Sequence, residues 1–106
     1  MHTTTTLVKD VKKIKIAVEK FDVSNMKEIK KSIEKEISRK DKRVLLDFST
    51  VRFIDSSGLS VIITMFKKLR AIGGTLILCG LNRQPYELLK TTQLHRIIKI
   101  VDSCYK

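Results

Sequence analysis

Two adjacent serines between an aspartate and a glycine are the residues with the clearest chemical potential in this sequence. Asp55-Ser56-Ser57-Gly58 stands directly before an apolar segment with helical spacing, which places both hydroxyls at a helix N-terminus. The free N–H groups and the dipole of a helix N-terminus favour an anion, so the fold would tolerate a phosphate on a serine here. The motif therefore predicts a phosphorylation switch at the surface.

The same four residues also have a purely structural interpretation. Asp55 or Ser56 is a typical helix N-cap residue, and Gly58 suits the transition from loop to helix. In the functional interpretation, Gly58 instead leaves room for a partner's backbone or a phosphate donor, because glycine has no Cβ. The local pattern leaves both interpretations open.

The common catalytic and cofactor motifs are absent from the sequence. Ser57 lacks the glycine two residues earlier that a nucleophile elbow requires, and His95 is the only histidine beyond the first residues. Gly73-Gly74 precedes a predicted strand rather than a helix, so it fits neither a P-loop nor a dinucleotide-binding fingerprint. We predict a protein that is not an enzyme and has no catalytic residues, no cofactor and no metal.

The two cysteines predict neither a metal site nor a disulfide framework. Cys79 falls within a predicted strand and Cys104 near the end of the sequence, with no Cys-x-x-Cys pair and no matching histidine spacing. We expect two thiols that are buried or have no chemical role.

Hydrophobic periodicity predicts the elements that must position the serines. Alternating or continuous apolar residues indicate strands at 7–8, 14–18, 44–48, 75–79 and 97–101. Helical spacing indicates helices at 26–37, 56–72 and 85–90, the first capped by Asp22, Ser24 or Asn25. This alternation predicts an α/β domain with a mixed, mostly parallel β-sheet, packed α-helices and an N-terminal hairpin.

The predicted second helix carries two more polar residues near the serines. Ser60 and Thr64 continue the helix face of Ser56, so a protein that docks at Ser57 would contact them. The apolar stripe of the same helix is expected to be buried; it comprises Leu59, Ile62, Ile63 and Phe66.

Length and charge limit the possible classes of protein. The 106 residues predict a single domain over 1–106, with Met1–Thr6 as a flexible start. Neither a membrane-spanning stretch nor a secretory signal is found, which predicts a cytoplasmic protein without a membrane partner. The net charge of +11 is spread over both halves, which favours a solvated surface or an acidic partner over direct nucleic-acid binding.

Three stretches of the sequence together resemble one protein family. They are Val44-Leu45-Leu46-Asp47-Phe48 followed by Phe53-Ile54-Asp55-Ser56-Ser57-Gly58-Leu59, then 73–82, then Leu94-His95-Arg96-Ile97-Ile98. This combination resembles a STAS domain, and more narrowly the bacterial anti-sigma factor antagonists. The resemblance covers the chain from the N-terminal hairpin to Asp102.

The resemblance implies a partner-switching protein. The unphosphorylated antagonist would bind an anti-sigma factor that is also a serine kinase, and so release a sigma factor. The kinase, which supplies the ATP and Mg²⁺, would phosphorylate the second serine of the motif, Ser57, and a serine phosphatase would reverse the step. Asp22 matches a family aspartate near that site, and Asp55, Ser56, Gly58, Ser60 and Thr64 are its expected companions in partner binding.

The sequence departs from the family pattern at several points. Lys20 and Gln93 stand where glycine is common, and the usual final helix is not evident. An alternative function is therefore kept, in which a STAS subunit that is not phosphorylated regulates a transporter ATPase or belongs to a sensory assembly. A basic nucleic-acid-binding domain is less favoured, and the oligomeric state is not predicted.

Overall fold

A five-stranded β-sheet carries all three α-helices of the described chain on one face. The computed structural model describes residues 3–8 and 10–104. The strands are β1 (Thr3–Val8), β2 (Val11–Ile16), β3 (Lys20–Phe21), β4 (Arg43–Asp47), β5 (Phe53–Ile54), β6 (Thr75–Cys79) and β7 (Lys99–Val101). The helices are α1 (Met26–Glu36), α2 (Ser56–Ala71) and α3 (Arg83–Thr91), with a one-turn 3₁₀ helix at Leu94–Arg96.

The strand order of the main sheet is β1-β2-β4-β6-β7, and the short strands β3 and β5 pair separately. β1 and β2 are antiparallel, whereas every other neighbouring pair is parallel. This topology confirms the predicted α/β class and the predicted hairpin. No helix in residues 3–8 and 10–104 is long and apolar enough to cross a membrane.

The two faces of the sheet have different surroundings because side chains alternate along a strand. Val44 and Leu46 of β4 point into the main core, which the helices cover. Leu45 points to the opposite face, into a small second cluster with Cys79 and Cys104. That second cluster contains no helical residue of the described chain.

Helix α2 is buried on more than one side. Leu59 and Ile62 are buried as expected, and Val61 and Met65 are buried as well. Ile63 and Phe66 are partly buried against the same core. The apolar surface of α2 is therefore used within the molecule rather than presented to a partner.

The start of the described chain is a strand and not the flexible segment that the sequence suggested. Thr3 to Thr6 pair with Ile16 to Lys13 in β1, so that prediction is wrong for these four residues. The four threonines contain no apolar alternation, but threonine has a high strand propensity and β2 offers an edge to pair with. Met1 and His2 lie outside the described residues.

The prediction for the cysteines is also wrong, since Cys79 and Cys104 form a disulfide across 25 residues of sequence. Cys79 ends β6 and Cys104 follows β7, and the two strands are parallel neighbours. The residues are thus brought together by strand pairing, which spacing in the sequence does not reveal.

Candidate functional site

Asp55 fixes the beginning of helix α2. It is the N-cap residue, and its Oδ1 accepts hydrogen bonds from the N–H of Ser57 at 2.8 Å and of Gly58 at 3.0 Å. Its main-chain carbonyl accepts the N–H of Leu59 at 3.0 Å. The structural interpretation of Asp55 is therefore confirmed, and the carboxylate holds the serines in place.

The same carboxylate joins the helix to a second loop. Oδ2 of Asp55 accepts the N–H of Val23 at 3.1 Å, in the loop that leads into α1. The Asp55 main-chain N–H donates to the carbonyl of Phe21 at 3.3 Å. One residue thus sets the position of the 22–25 loop relative to Ser57.

The two serine hydroxyls have no hydrogen-bond partner within the part of the chain that the structure describes. Ser56 is exposed and Ser57 is half-buried. The carbonyl of Ser57 accepts a bond from Ser60 Oγ at 2.7 Å, and the carbonyl of Ser60 accepts one from Thr64 Oγ1 at 2.9 Å. Ser60 and Thr64 therefore follow Ser57 on the next two turns of α2, whereas the spacing predicted that they continue the face of Ser56. The Ser57 hydroxyl itself is free to react.

Asp22 lies in the adjoining loop, where its carboxylate is engaged locally. Oδ1 accepts bonds from the main-chain N–H of Ser24 at 3.0 Å and from Ser24 Oγ at 2.6 Å. The bond from the Ser24 hydroxyl, followed by that from the Ser24 N–H, lowers the pKa of Asp22 below its ordinary value. Asp22 is thus an anion close to the start of α2.

The N-cap residue of helix α1 is one of the three predicted candidates, but it does not cap the helix through its side chain. Asn25 occupies the N-cap position, but its side chain makes no capping bond. It accepts the N–H of Asp22 at 3.1 Å and donates to the carbonyl of Lys20 at 2.7 Å. The carbonyl of Asp22 accepts the N–H of Met26 at 2.9 Å, so the main chain caps this end and the side chains shape the loop.

The need for glycine at position 58 has a structural reason that the sequence did not reveal. A Cβ at this position would lie 2.4 Å from the carbonyl oxygen of Phe21 and 2.9 Å from Cγ2 of Ile54. Gly58 is buried, so the space that a side chain would need is filled by the same chain. The expectation that Gly58 admits a partner is therefore wrong; it allows α2 to approach β3.

The electrostatic setting of Ser57 differs from the expected one. The sequence suggested that free N–H groups at the helix start would receive a phosphate, but Asp55 already accepts those of Ser57 and Gly58. A phosphate on Ser57 would carry a charge of about −1.5 to −2 beside an occupied cap. The N–H groups of Ser57 and Gly58 are therefore not available to neutralise this added charge.

Two exposed apolar residues near the serines were missed by the sequence analysis. Val23 is 73% exposed and is bonded to Asp55 through its N–H, and Phe53 is 41% exposed on β5. A single apolar residue in a polar loop gives no periodic signal, so no pattern could have identified Val23. Together they give the site an apolar margin.

Asn82 and Gln84 support the segment that leads to Asp55. Asn82 Nδ2 donates to the carbonyls of Ser49 at 3.1 Å and Val51 at 2.8 Å. Gln84 accepts the N–H of Ile54 at 2.8 Å and donates to its carbonyl at 2.9 Å. These side chains replace ladder bonds that the short strand β5 lacks.

One group of residues offers three potential metal-ligating atoms. Single atoms of Asp47, Cys79 and Cys104 lie within 4.8 Å of one another, and all three residues are buried. The two sulfur atoms are joined in a disulfide, so neither is available as a thiolate ligand in this state.

Replacing Asp55 should measure how strongly the cap organises the site. Asp55→Ala removes the acceptor for Ser57, Gly58 and Val23, and we expect the free energy of unfolding to fall by about 1–2 kcal/mol in urea titrations. Asp55→Asn is the matched control, because asparagine caps helices nearly as well. An Asp55→Ala protein as stable as the unaltered one would contradict the assigned role.

Comparisons with known proteins agree with this arrangement. The family model for the STAS domain matches residues 6–106. A Bordetella bronchiseptica protein assigned as an anti-sigma factor antagonist is 26% identical over 80 residues, which cover 76% of this chain and 69% of that protein. The anti-sigma F factor antagonist of Paenibacillus polymyxa is 32% identical over 65 residues, covering 61% of this chain and 56% of that protein.

Solved structures show the same fold over nearly the whole chain. A Thermotoga maritima protein assigned as an anti-sigma factor antagonist matches with a TM-score of 0.85 and 30% identity, covering 96% of this chain and 87% of that one. The phosphorylated form of Bacillus SpoIIAA shares the fold with a TM-score of 0.75 at 17% identity, covering 97% of this chain and 92% of that one. A murine solute carrier 26 anion transporter shares it with a TM-score of 0.80 at 15% identity, covering 94% of this chain and 17% of that one.

Proposed function

The chain belongs to the STAS domain family, and we propose that it is an anti-sigma factor antagonist that phosphorylation of Ser57 switches off. In the unphosphorylated state it binds an anti-sigma factor that is also a serine kinase, and a sigma factor is released for transcription. A serine phosphatase restores the active form. The cycle takes place in the cytoplasm, where sigma factors engage RNA polymerase.

The observation that carries this proposal is the free hydroxyl of Ser57 at a rigidly held helix start. Asp55 fixes the N–H groups of Ser57 and Gly58, while no group of the described chain binds the hydroxyl itself. A kinase needs a serine Oγ that is accessible and that its own base can deprotonate. Ser57 offers such an oxygen, and the similarity to relatives named anti-sigma factor antagonists supports the assignment.

The transfer itself requires nothing from this chain except the hydroxyl. The Oγ of Ser57 forms a bond to the γ-phosphorus of ATP as the bond from that phosphorus to the bridging oxygen of ADP breaks. The proton of the hydroxyl passes to a base of the kinase. ATP and Mg²⁺ belong to the kinase, and the antagonist is a protein substrate and not an enzyme.

The surface beside Ser57 has the character of a docking area. Val23 and Phe53 are its exposed apolar members. Lys20, which pairs with Phe53 in the β3–β5 pair, and Arg52, which directly precedes Phe53, are both exposed. Apolar residues within a charged margin are typical of protein interfaces. A partner with apolar contacts and acidic side chains at the rim fits this surface and the net charge of +11. Asp22, Ser56, Ser60 and Thr64 complete the proposed contact area.

Removing either apolar side chain should weaken the complex. We expect Val23→Ala and Phe53→Ala each to reduce affinity for the anti-sigma factor by about tenfold, because buried apolar contacts at an interface contribute roughly 1–2 kcal/mol. Leu7→Ala is the matched control, since Leu7 is 66% exposed on β1 at the edge of the sheet. Isothermal titration calorimetry gives the affinities; equal losses in all three variants would argue against this surface.

The direct test of the switch is phosphorylation by a kinase of the same genome. The chain is incubated with Mg-ATP and each anti-sigma kinase, and its intact mass is measured. We expect a single added phosphate that is absent from Ser57→Ala and still present in Ser56→Ala, which removes the neighbouring hydroxyl. A phosphate retained by Ser57→Ala would assign the modification to another residue.

A different result would favour the alternative function. A chain that no such kinase modifies, but that forms a stable complex with a transporter ATPase or a sensory protein, would be a STAS subunit without a phosphorylation switch. The transporter domain with the same fold shows only that the fold occurs in such a setting. The free Ser57 hydroxyl favours the antagonist.

A further inference from the structure

The Cys79–Cys104 disulfide lies on the sheet face that no helix of the described chain covers. Cys79 is 0% exposed and Cys104 6% exposed, and they cluster with Leu45. Three partly buried apolar residues complete this cluster: Val11, Ile77 and Val101. The disulfide is thus the centre of the second, smaller core, and it attaches the chain after β7 to the end of β6.

The disulfide is in contact with the loop that follows β4. A Cβ built on Gly80 would lie 3.1 Å from Cys104 Sγ and 3.1 Å from Cβ of Ser49, so these residues close around Gly80. The carboxylate of Asp47 lies within 4.8 Å of both sulfur atoms and accepts the N–H of Ser49 at 2.8 Å. We call residues 49–52 together with β5 the 49–54 loop; its first residue, Ser49, is therefore held by a carboxylate that lies close to the disulfide.

That loop ends at the N-cap of helix α2. The N–H of Phe48 donates to the carbonyl of Cys79 at 2.9 Å, and Asn82, three residues after Cys79, holds the carbonyls of Ser49 and Val51. Four residues, 52–55, separate Val51 from the Ser56 start of α2. Hydrogen bonds from residues at and just after Cys79 therefore hold the chain as far as Val51, and the main chain continues from there to Asp55.

We propose that Cys79 and Cys104 form a reversible thiol–disulfide site whose state sets the mobility of the 49–54 loop. The oxidised state clamps Cys104 against Gly80 and Ser49, and the reduced state releases this clamp. In the reduction, the two thiols of a protein dithiol transfer two electrons and two protons; the Cys79–Cys104 bond breaks and a disulfide forms in the reductant. The site acts independently of phosphorylation and adds a second input to the same helix start.

Burial and a neighbouring negative charge restrict which thiols can exchange with the Cys79–Cys104 disulfide. Cys104 is 6% exposed and Cys79 is 0% exposed, so we expect an attacking thiolate to reach Cys104 first. The carboxylate of Asp47 opposes negative charge at either sulfur, which slows exchange with small thiols. Lys13 Nζ donates to the carbonyl of Cys104 at 2.7 Å and keeps this residue close after reduction, so the disulfide can form again.

The test compares hydrogen exchange of the full chain in its two states. The chain is equilibrated with oxidised glutathione or with dithiothreitol, the state is verified by alkylation and intact mass, and amide exchange is followed by mass spectrometry. We expect several-fold faster exchange at residues 49–54 in the reduced chain, with the centre of α2 unchanged. Cys104→Ser should show the fast exchange in both buffers and no response to dithiothreitol.

Three outcomes would overturn the proposal. Complete alkylation of both cysteines after oxidised glutathione would mean that the pair does not form a disulfide. Equal exchange at 49–54 in verified oxidised and reduced chains would remove the coupling. Uniformly faster exchange throughout the chain, with a lost circular-dichroism signal, would make the bond a global staple. A Cys79→Ala/Cys104→Ala chain lacks both the cross-link and the free thiol that Cys104→Ser retains. The proposal expects the same fast exchange in both variants, because only the cross-link matters.

Discussion

A Ser57→Glu chain should bind its anti-sigma factor at least about a hundredfold more weakly than a Ser57→Ala chain, a difference of roughly 3 kcal/mol. Asp55 accepts the N–H groups of Ser57 and Gly58, so these two donors are not available to a new anion at position 57. In the complex this anion loses water without gaining a partner, and a buried unpaired charge is expensive. Ser57→Ala leaves the neutral interface intact. Calorimetric titration of both variants gives the difference.

The position of the charge is tested by a matched substitution elsewhere. Thr4→Glu introduces the same charge on the exposed face of β1, at the edge of the sheet, and should change the affinity less than about threefold. The chain phosphorylated at Ser57, with a charge of about −1.5 to −2, should bind no better than Ser57→Glu. If phosphorylated protein and Ser57→Ala bind equally, charge at this residue does not control the complex.

The regular part of the fold was predictable because each element follows a hydrophobic period. The stripe of Ile29 and Ile33 places α1 on the core, and the apolar run of β4 is paired in parallel on both sides. Gly73 and Gly74 end α2 as expected, with φ at +75° for Gly73. These features depend on local sequence alone.

The irregular parts depend on contacts between distant residues, and no local period describes them. β3 and β5 contain two residues each and exist because Lys20–Phe21 and Phe53–Ile54 lie side by side. The disulfide depends on the pairing of β6 and β7, and the loops around the site depend on Asn82 and Gln84. The family resemblance did indicate one irregular position, because Gln93 stands where glycine is common. Gln93 has a φ of 66°, a backbone conformation that favours glycine.

The site itself divides in the same way. The helix start, the Asp55 cap and the placement of Ser60 and Thr64 on the turns after the two serines were predictable from residue types and spacing. The main-chain N–H of Val23 that donates to the Asp55 carboxylate was not predictable, because Val23 is 32 residues away in the sequence. The need for glycine at position 58 was missed for the same reason, because the carbonyl of Phe21 that a Cβ would meet is distant in the sequence.

Gly58→Ala should be the most damaging small substitution for the fold around the site. The new Cβ would lie 2.4 Å from the main-chain oxygen of Phe21, which no side-chain rotation can relieve. Alanine favours a helix by about 1 kcal/mol over glycine, but the clash forces α2 away from β3. We expect a net loss of about 3 kcal/mol in the free energy of unfolding and a fall in Tm of roughly 10–20 °C.

The matched substitution Gly73→Ala separates the contact from the backbone. At Gly73 an added Cβ meets no heavy atom within 4 Å, and only its φ of +75° opposes alanine, at a cost of about 1–2 kcal/mol. Gly58→Ala should also weaken anti-sigma factor binding, since Phe21 directly precedes the 22–25 loop that Asp55 joins to Ser57. Gly73→Ala should leave binding unchanged. Equal Tm values for the two variants would mean that the approach of α2 to β3 is not tight. Thermal melts give the Tm values, and titrations on the same samples give the affinities.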